Sequence, residues 1–238
     1  MRYLRFIPAV FFLGAFGIAS GQDLVDSPHD LSSLSANPFA DAVYTDSGGT
    51  STDQLCVFCH TPHAATGTNA YGPLWNRNYS PGVFTTYSSS TFDGGAITLG
   101  AETYSCMSCH DGSVALDNLV NYPGRGTQTW SAGGVYDFVD PAGKLDADNK
   151  LTGGMAALDT DLSDDHPVGL DYGTAESIDA EIKAIPGWAP LYGGQMECAT
   201  CHEVHDWDGG GPGVNGGYTM FLRQTTSQST ICTDCHDK

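Results

Sequence analysis

The chain has 238 residues, with 8 Cys, 8 His and 30 Gly, and 28 acidic residues against 9 Lys plus Arg. A formal charge of −19 excludes a nucleic-acid binder held by phosphate neutralisation. An apolar share of 40% spread through so much Gly is too little for a large side-chain core, so something else must fill the interior.

In chain order, residues 1–21 read as a secretory signal peptide that is removed. Arg2 and Arg5 form its basic start, 6–19 its apolar stretch, and Ala19-Ser20-Gly21 the small residues for cleavage. The stretch falls short of the roughly 20 apolar residues of a bilayer span, and Pro8 interrupts it. The remainder, 22–238, keeps 7 basic and all 28 acidic residues, a net of −21, and reads as a single domain. Short strands are expected at 83–87, 135–139 and 218–222. Ile178, Ile182 and Ile185, with Thr174 as cap and Pro186 beyond, predict a helix over 174–185. The run Gly209-Gly210-Gly211-Pro212-Gly213 reads as loop. Asp146-Ala147-Asp148-Asn149 starts like a calcium loop but lacks the Gly and the distal Glu, and reads as a solvated acidic turn. Asn78-Tyr79-Ser80 fits a glycosylation acceptor, a common triplet.

Every cysteine belongs to one pattern. The pairs are Cys56/Cys59, Cys106/Cys109, Cys198/Cys201 and Cys232/Cys235, and each is followed at once by a histidine: His60, His110, His202 and His236. C-x-x-C-H is the attachment signature of c-type haem. Disulfides, zinc sites and redox dithiols also use such cysteines, but none requires His after every second Cys. The spacing has a chemical reason. Each thiol adds to one of two vinyl groups on a haem edge, and cysteines three apart share one side of a helical turn. The adjacent His then becomes the proximal iron ligand. A short helical turn is expected at each motif.

Four histidines remain, His29, His63, His166 and His205, for four sixth positions. Met107, Met155, Met196 and Met220 are the alternatives in 22–238, with Met107 inside a motif and Met196 just before one. The matching count favours bis-histidine ligation throughout. His63 and His205 each lie three residues after a proximal ligand and cannot round the porphyrin to the same iron, so each is expected to serve another haem. Asp164 and Asp165 are expected to hydrogen-bond the imidazole of His166. His29 lies close to the new N-terminus, so it ties down its own arm or reaches into a neighbouring molecule.

The pattern repeats. C-x-x-C-H-x-x-H at 56–63 and 198–205 is each followed by a plain C-x-x-C-H-Asp. This gives a haem pair at 56–110, a connecting segment at 111–197 and a second pair at 198–236. The expected fold class is a multihaem cytochrome c: mostly coil, a few short helices and minimal strand, packed round four haems.

These residues resemble a known group. CVFCHTPH at 56–63 with Pro73-Leu74-Trp75-Asn76 downstream, SCHDGSVA at 108–115, DDHPVG at 164–169, CATCHEVH at 198–205, Phe221-Leu222-Arg223 and the N-terminal SPHDLS look like the doubled-CxxCH tetrahaem cytochromes. Among these the chain is most similar to OmcE-type extracellular cytochromes. The resemblance implies electron transfer without catalysis through four c-type haems. It also implies a homo-oligomeric helical filament outside the cell, with redox proteins or extracellular acceptors as partners. His60, His110, His202 and His236 become proximal ligands, and His29, His63, His166 and His205 distal ones. Such filaments can share a ligand between subunits, and His29 is the candidate donor. A soluble periplasmic tetrahaem shuttle is the alternative. A multihaem reductase needs an open iron, which the histidine count does not leave, and a zinc-bearing structural protein needs the motifs to lack haem.

Overall fold

A computed structural model describes residues 24–32, 54–63, 65, 71–121, 143–153, 156–205 and 220–237, and the backbone pairing of 44–46 with 136–138. The signal-peptide segment 1–21, Met155, the Gly-rich run at 209–213 and Tyr218 lie outside the described residues.

The described chain is mostly coil with short helices and little strand. Among the described residues no helix is long and apolar enough to cross a membrane. Each C-x-x-C motif forms its own helical turn. The first is a 3₁₀ turn at Leu55–Phe58, and the second lies wholly within α1, Ala101–His110. The third is α3, Cys198–Cys201, and the fourth runs through α4, Thr230–Thr233. Gly112 ends α1 with φ +66°, where a Cβ would lie 2.5 Å from the Leu151 carbonyl, so the reversal there requires glycine.

The helix expected at 174–185 is instead α2, Tyr172–Ile178. Asp171, not Thr174, caps it, accepting the Thr174 N–H at 2.6 Å. Asp179 stops it by turning extended and accepting the Glu181 N–H at 2.8 Å. The isoleucines therefore do not share one helical face. Ile178 is 61% exposed, while Ile182 and Ile185 reach the core along an extended strand of chain.

Three two-stranded sheets stand where the sequence suggests isolated strands. Tyr44–Asp46 (β1) pairs antiparallel with Tyr136–Phe138 (β3), inside the expected 135–139. Thr85–Thr86 (β2), inside 83–87, pairs parallel with Asp161–Leu162 (β4). Leu170–Asp171 (β5) pairs antiparallel with Gln195–Met196 (β6). The run 218–222 is not a strand where it is described. Met220 and Phe221 both have positive φ and reverse the chain, leaving Leu222 in a single bridge to His202. The acidic turn at 146–150 is closed by Asp146, whose Oδ1 accepts the N–H groups of Asp148 and Lys150 at 2.9 Å each.

Among the described residues, two small apolar clusters stand out in the core. One gathers Leu170, Tyr172, Ala175 and Met196, with Ile182 and Ile185 against it. The other gathers Tyr79, Met107 and Leu162. Polar burial is heavy beside them: Asn76, Arg77, Thr103, Ser108 and Thr200 are fully enclosed, and Glu197 is 1% exposed. Their hydrogen bonds, rather than apolar contact, join the loops to the motif turns.

Candidate metal centres

Three of the four motifs are held by the same backbone clasp. At the first motif the Thr61 N–H donates to Leu74 and the Asn76 N–H donates to Cys59, bracketing a bridge between His60 and Trp75. At the third, Glu203 donates to Phe221 and Arg223 to Cys201, bracketing His202 and Leu222. At the fourth, Asp237 donates to Glu181 and Lys183 to Cys235, bracketing His236 and Ile182. Leu74 and Phe221 take the same left-handed backbone, φ 56° and 59°. The internal repeat is thus present in the backbone as well as in the motif spelling.

The clasp orients the proximal imidazoles. The Nδ1–H of His60 donates to the Pro73 carbonyl at 2.9 Å, and that of His202 to Met220 at 2.7 Å. His110, on α1, donates to Ala156 at 2.6 Å. A carbonyl can only accept, so each bond fixes the tautomer and leaves Nε2 as the free lone pair, the form that binds a metal. Burial lowers the His60 and His110 pKa values and keeps both rings neutral.

The histidines meet in pairs. His29 and His110 have ring centres 6.0 Å apart, His60 and His205 6.0 Å, and His166 and His236 6.3 Å. Two imidazoles bound to opposite faces of one iron, each by a bond of about 2 Å, place their ring centres about 6 Å apart. The interplanar angles, 83°, 25° and 66°, are all accommodated by rotation about such an axis. Among the described residues no group of three or more His, Cys, Asp or Glu is gathered to hold a bare metal ion. All eight cysteines are free of disulfides.

No family model and no curated protein matches this chain.

His29 is half-buried against its own chain. Its ring stacks on Phe221 at 4.6 Å, and its Nδ1 is buried with no hydrogen-bond partner among the described residues. Burial, then the charges of His110, His202 and His205, pull its pKa down to about 3. A buried, neutral, unpartnered ring nitrogen among other imidazoles suits a ligand-bearing group. The expected carboxylate partners of His166 are absent: its Nδ1–H donates to the Pro167 carbonyl at 3.2 Å. His205 has the carboxylate partner instead, with Glu203 Oε1 at 3.1 Å, and Arg223 balances that carboxylate at 2.7 Å. His63 is exposed, and its carbonyl accepts from Thr61 and Asn121. The structure brings no other histidine ring against His63 or His202 among the described residues. Met107 is fully enclosed in the apolar cluster, as a core residue rather than a ligand.

The cysteines of successive motifs also approach one another. Cys59 and Cys109 interact electrostatically, the Cys106 and Cys198 thiols share a hydrogen bond, and Cys201 interacts with Cys235. Each motif thus lies near the next in chain order, and the first also meets the segment after the third through His60 and His205. Arg77, fully buried, joins the first two by donating to the carbonyls of Ser108, Ala115 and Leu116. The clasps and Arg77 were not expected as site residues. Pro73-Leu74-Trp75-Asn76 and Phe221-Leu222-Arg223 are visible in the sequence, but nothing there says that they grip a motif.

Proposed function

We propose that this chain is an electron-transfer protein with four covalent c-type haems, each iron held by two histidines. When bound, a haem supplies one-electron exchange between ferric and ferrous iron. The observation that carries the reading is the pairing of histidines at 6.0–6.3 Å at three of the four C-x-x-C-H motifs. The ring distances support pairing His29 with His110, His205 with His60 and His166 with His236. His63 then remains for His202, and the repeat supports it. His205 follows the third motif and serves the first, so His63, which follows the first, serves the third.

The residues of the chain hold and orient. Carbonyl-bound Nδ1–H groups fix the rings of His60, His110 and His202, and the paired imidazoles would hold each haem iron and leave it closed to substrates and water. Closed positions favour conduction over catalysis. The chain-order contact of the motifs favours short hops from first to last. Export and polymerisation into a filament rest on the resemblance set out above, with a soluble shuttle as the second reading. His63, exposed and without another histidine ring against it among the described residues, joins His29 as a histidine that a neighbouring subunit would reach.

Two experiments test this. The oxidised holoprotein is expected to give a purely low-spin electron paramagnetic resonance spectrum and to bind no cyanide. A high-spin signal with cyanide binding would return the reductase reading. Electron microscopy of the secreted protein is expected to show filaments, and particles of single-chain size would favour the shuttle.

A further inference from the structure

We propose that Glu197 lowers the reduction potential of the haem attached at Cys198 and Cys201, through a buried charge that no cation offsets. This rests on the haem reading above. Glu197 is 1% exposed and sits where α1 meets α3. Oε1 accepts the Gly100 N–H at 3.0 Å, Oε2 accepts the Thr103 hydroxyl, and the side chain also accepts the Thr200 N–H. Thr103 Oγ1 in turn accepts the Cys198 N–H at 3.3 Å.

Two of the three groups facing the carboxylate are backbone N–H groups that can only donate, and the third, the Thr103 hydroxyl, donates either to Oε2 or to Cys198 Sγ at 3.5 Å. Two fixed donors favour the ionised carboxylate. Burial pushes the carboxyl pKa up, while Thr103 and Gly100 oppose the rise. The nearby charge that acts on it is Glu102, of the same sign. Glu203, by contrast, has Arg223 at 2.7 Å. Among the described residues Glu197 has no such cation.

Its position selects its target. Glu197 is bonded to Cys198, whose thiol touches Cys106 of the second motif. Oxidation adds one positive charge to the iron, and an anion in a poorly screened interior stabilises that charge. The oxidised state gains and the potential falls. The site also accounts for Gly100, where a Cβ would come 2.6 Å from Glu197 Oε1.

The test is an anaerobic optical redox titration of holoprotein carrying Glu197→Gln, Glu197→Met or Glu197→Asp. Gln and Met are expected to raise one of the four transitions and leave the others in place, with the low-spin spectrum unchanged. Asp keeps the charge while shortening the clamp, and its transitions are expected to stay near wild type. Unmoved potentials in the Gln and Met variants overturn the proposal, and so does an equal shift in Asp, which would mark a purely structural clamp. Should the uncharged variants fail to accumulate, redox-difference infrared spectra of wild type and Glu197→Asp read the carboxylate directly. A reduction-linked carboxylate band displaced in the Asp variant supports the proposal, and its absence from wild type overturns it. Loss of the haem spectrum in wild type itself would instead sink the haem reading.

Discussion

The histidines differ in hydrogen bonding and burial, and these differences are open to test. His205 faces His60 from a surface position, so His205→Ala removes a ligand without opening the core. It is expected to convert one of four sites to high spin, read by the charge-transfer band of the oxidised protein, and to leave the other three unchanged. His29 behaves differently because it must stay neutral. Its folded pKa, about 3, lies below the ordinary 6.5, so between these values the unfolded chain binds a proton that the folded chain refuses. The stability is fully present above pH 6.5 and drains as pH falls toward 3. Acid titration of the low-spin spectrum is expected to show the second motif's site failing within that window. His29→Ala is expected to lose one low-spin haem while assembly continues. Shortened or absent filaments would restore His29 as an intersubunit ligand.

The elements that hold these residues are clasps and caps. Asn76 donates to the Val57 and Asn121 carbonyls at 2.7 Å and accepts the Asn121 N–H at 2.8 Å. It is fully buried, so Asn76→Ala leaves three backbone groups unmatched and costs about 3 kcal/mol, seen as a lower urea midpoint. Asp171→Ala removes the α2 cap alone and costs about 1 kcal/mol by the same measurement. The motif turns were legible because C-x-x-C-H demands a helical turn for its own chemistry. The helix at 174–185 was misread because Ile178, Ile182 and Ile185 have helical spacing by coincidence, and Asp179 ends the helix through a local turn that periodicity does not register. The clasps were illegible for another reason. They join main-chain groups 13–56 residues apart in either direction, and a backbone donor has no side-chain signature.

At the scale of the molecule, the two apolar clusters among the described residues hold four and three buried residues. On the haem reading proposed above, the attached groups would supply further core against the chain entropy of folding. A chain in which all eight cysteines are replaced by alanine is therefore expected to remain unfolded, with a coil-like circular dichroism spectrum and no cooperative melt. A cooperative melt would mean that the polypeptide alone is sufficient. The sequence supplies eight imidazoles for the four irons that the haem reading proposes. Their pairing was not legible there, because His60 meets His205 and His29 meets His110 only through tertiary folding.

The central claim is that all four motifs carry haem. Mass spectrometry of the denatured, reduced secreted protein, paired with a pyridine haemochrome assay, tests it most directly. The account predicts four covalent haems per chain and no free thiol. A chain with the mass of the bare polypeptide, alkylated at all eight cysteines, would contradict it.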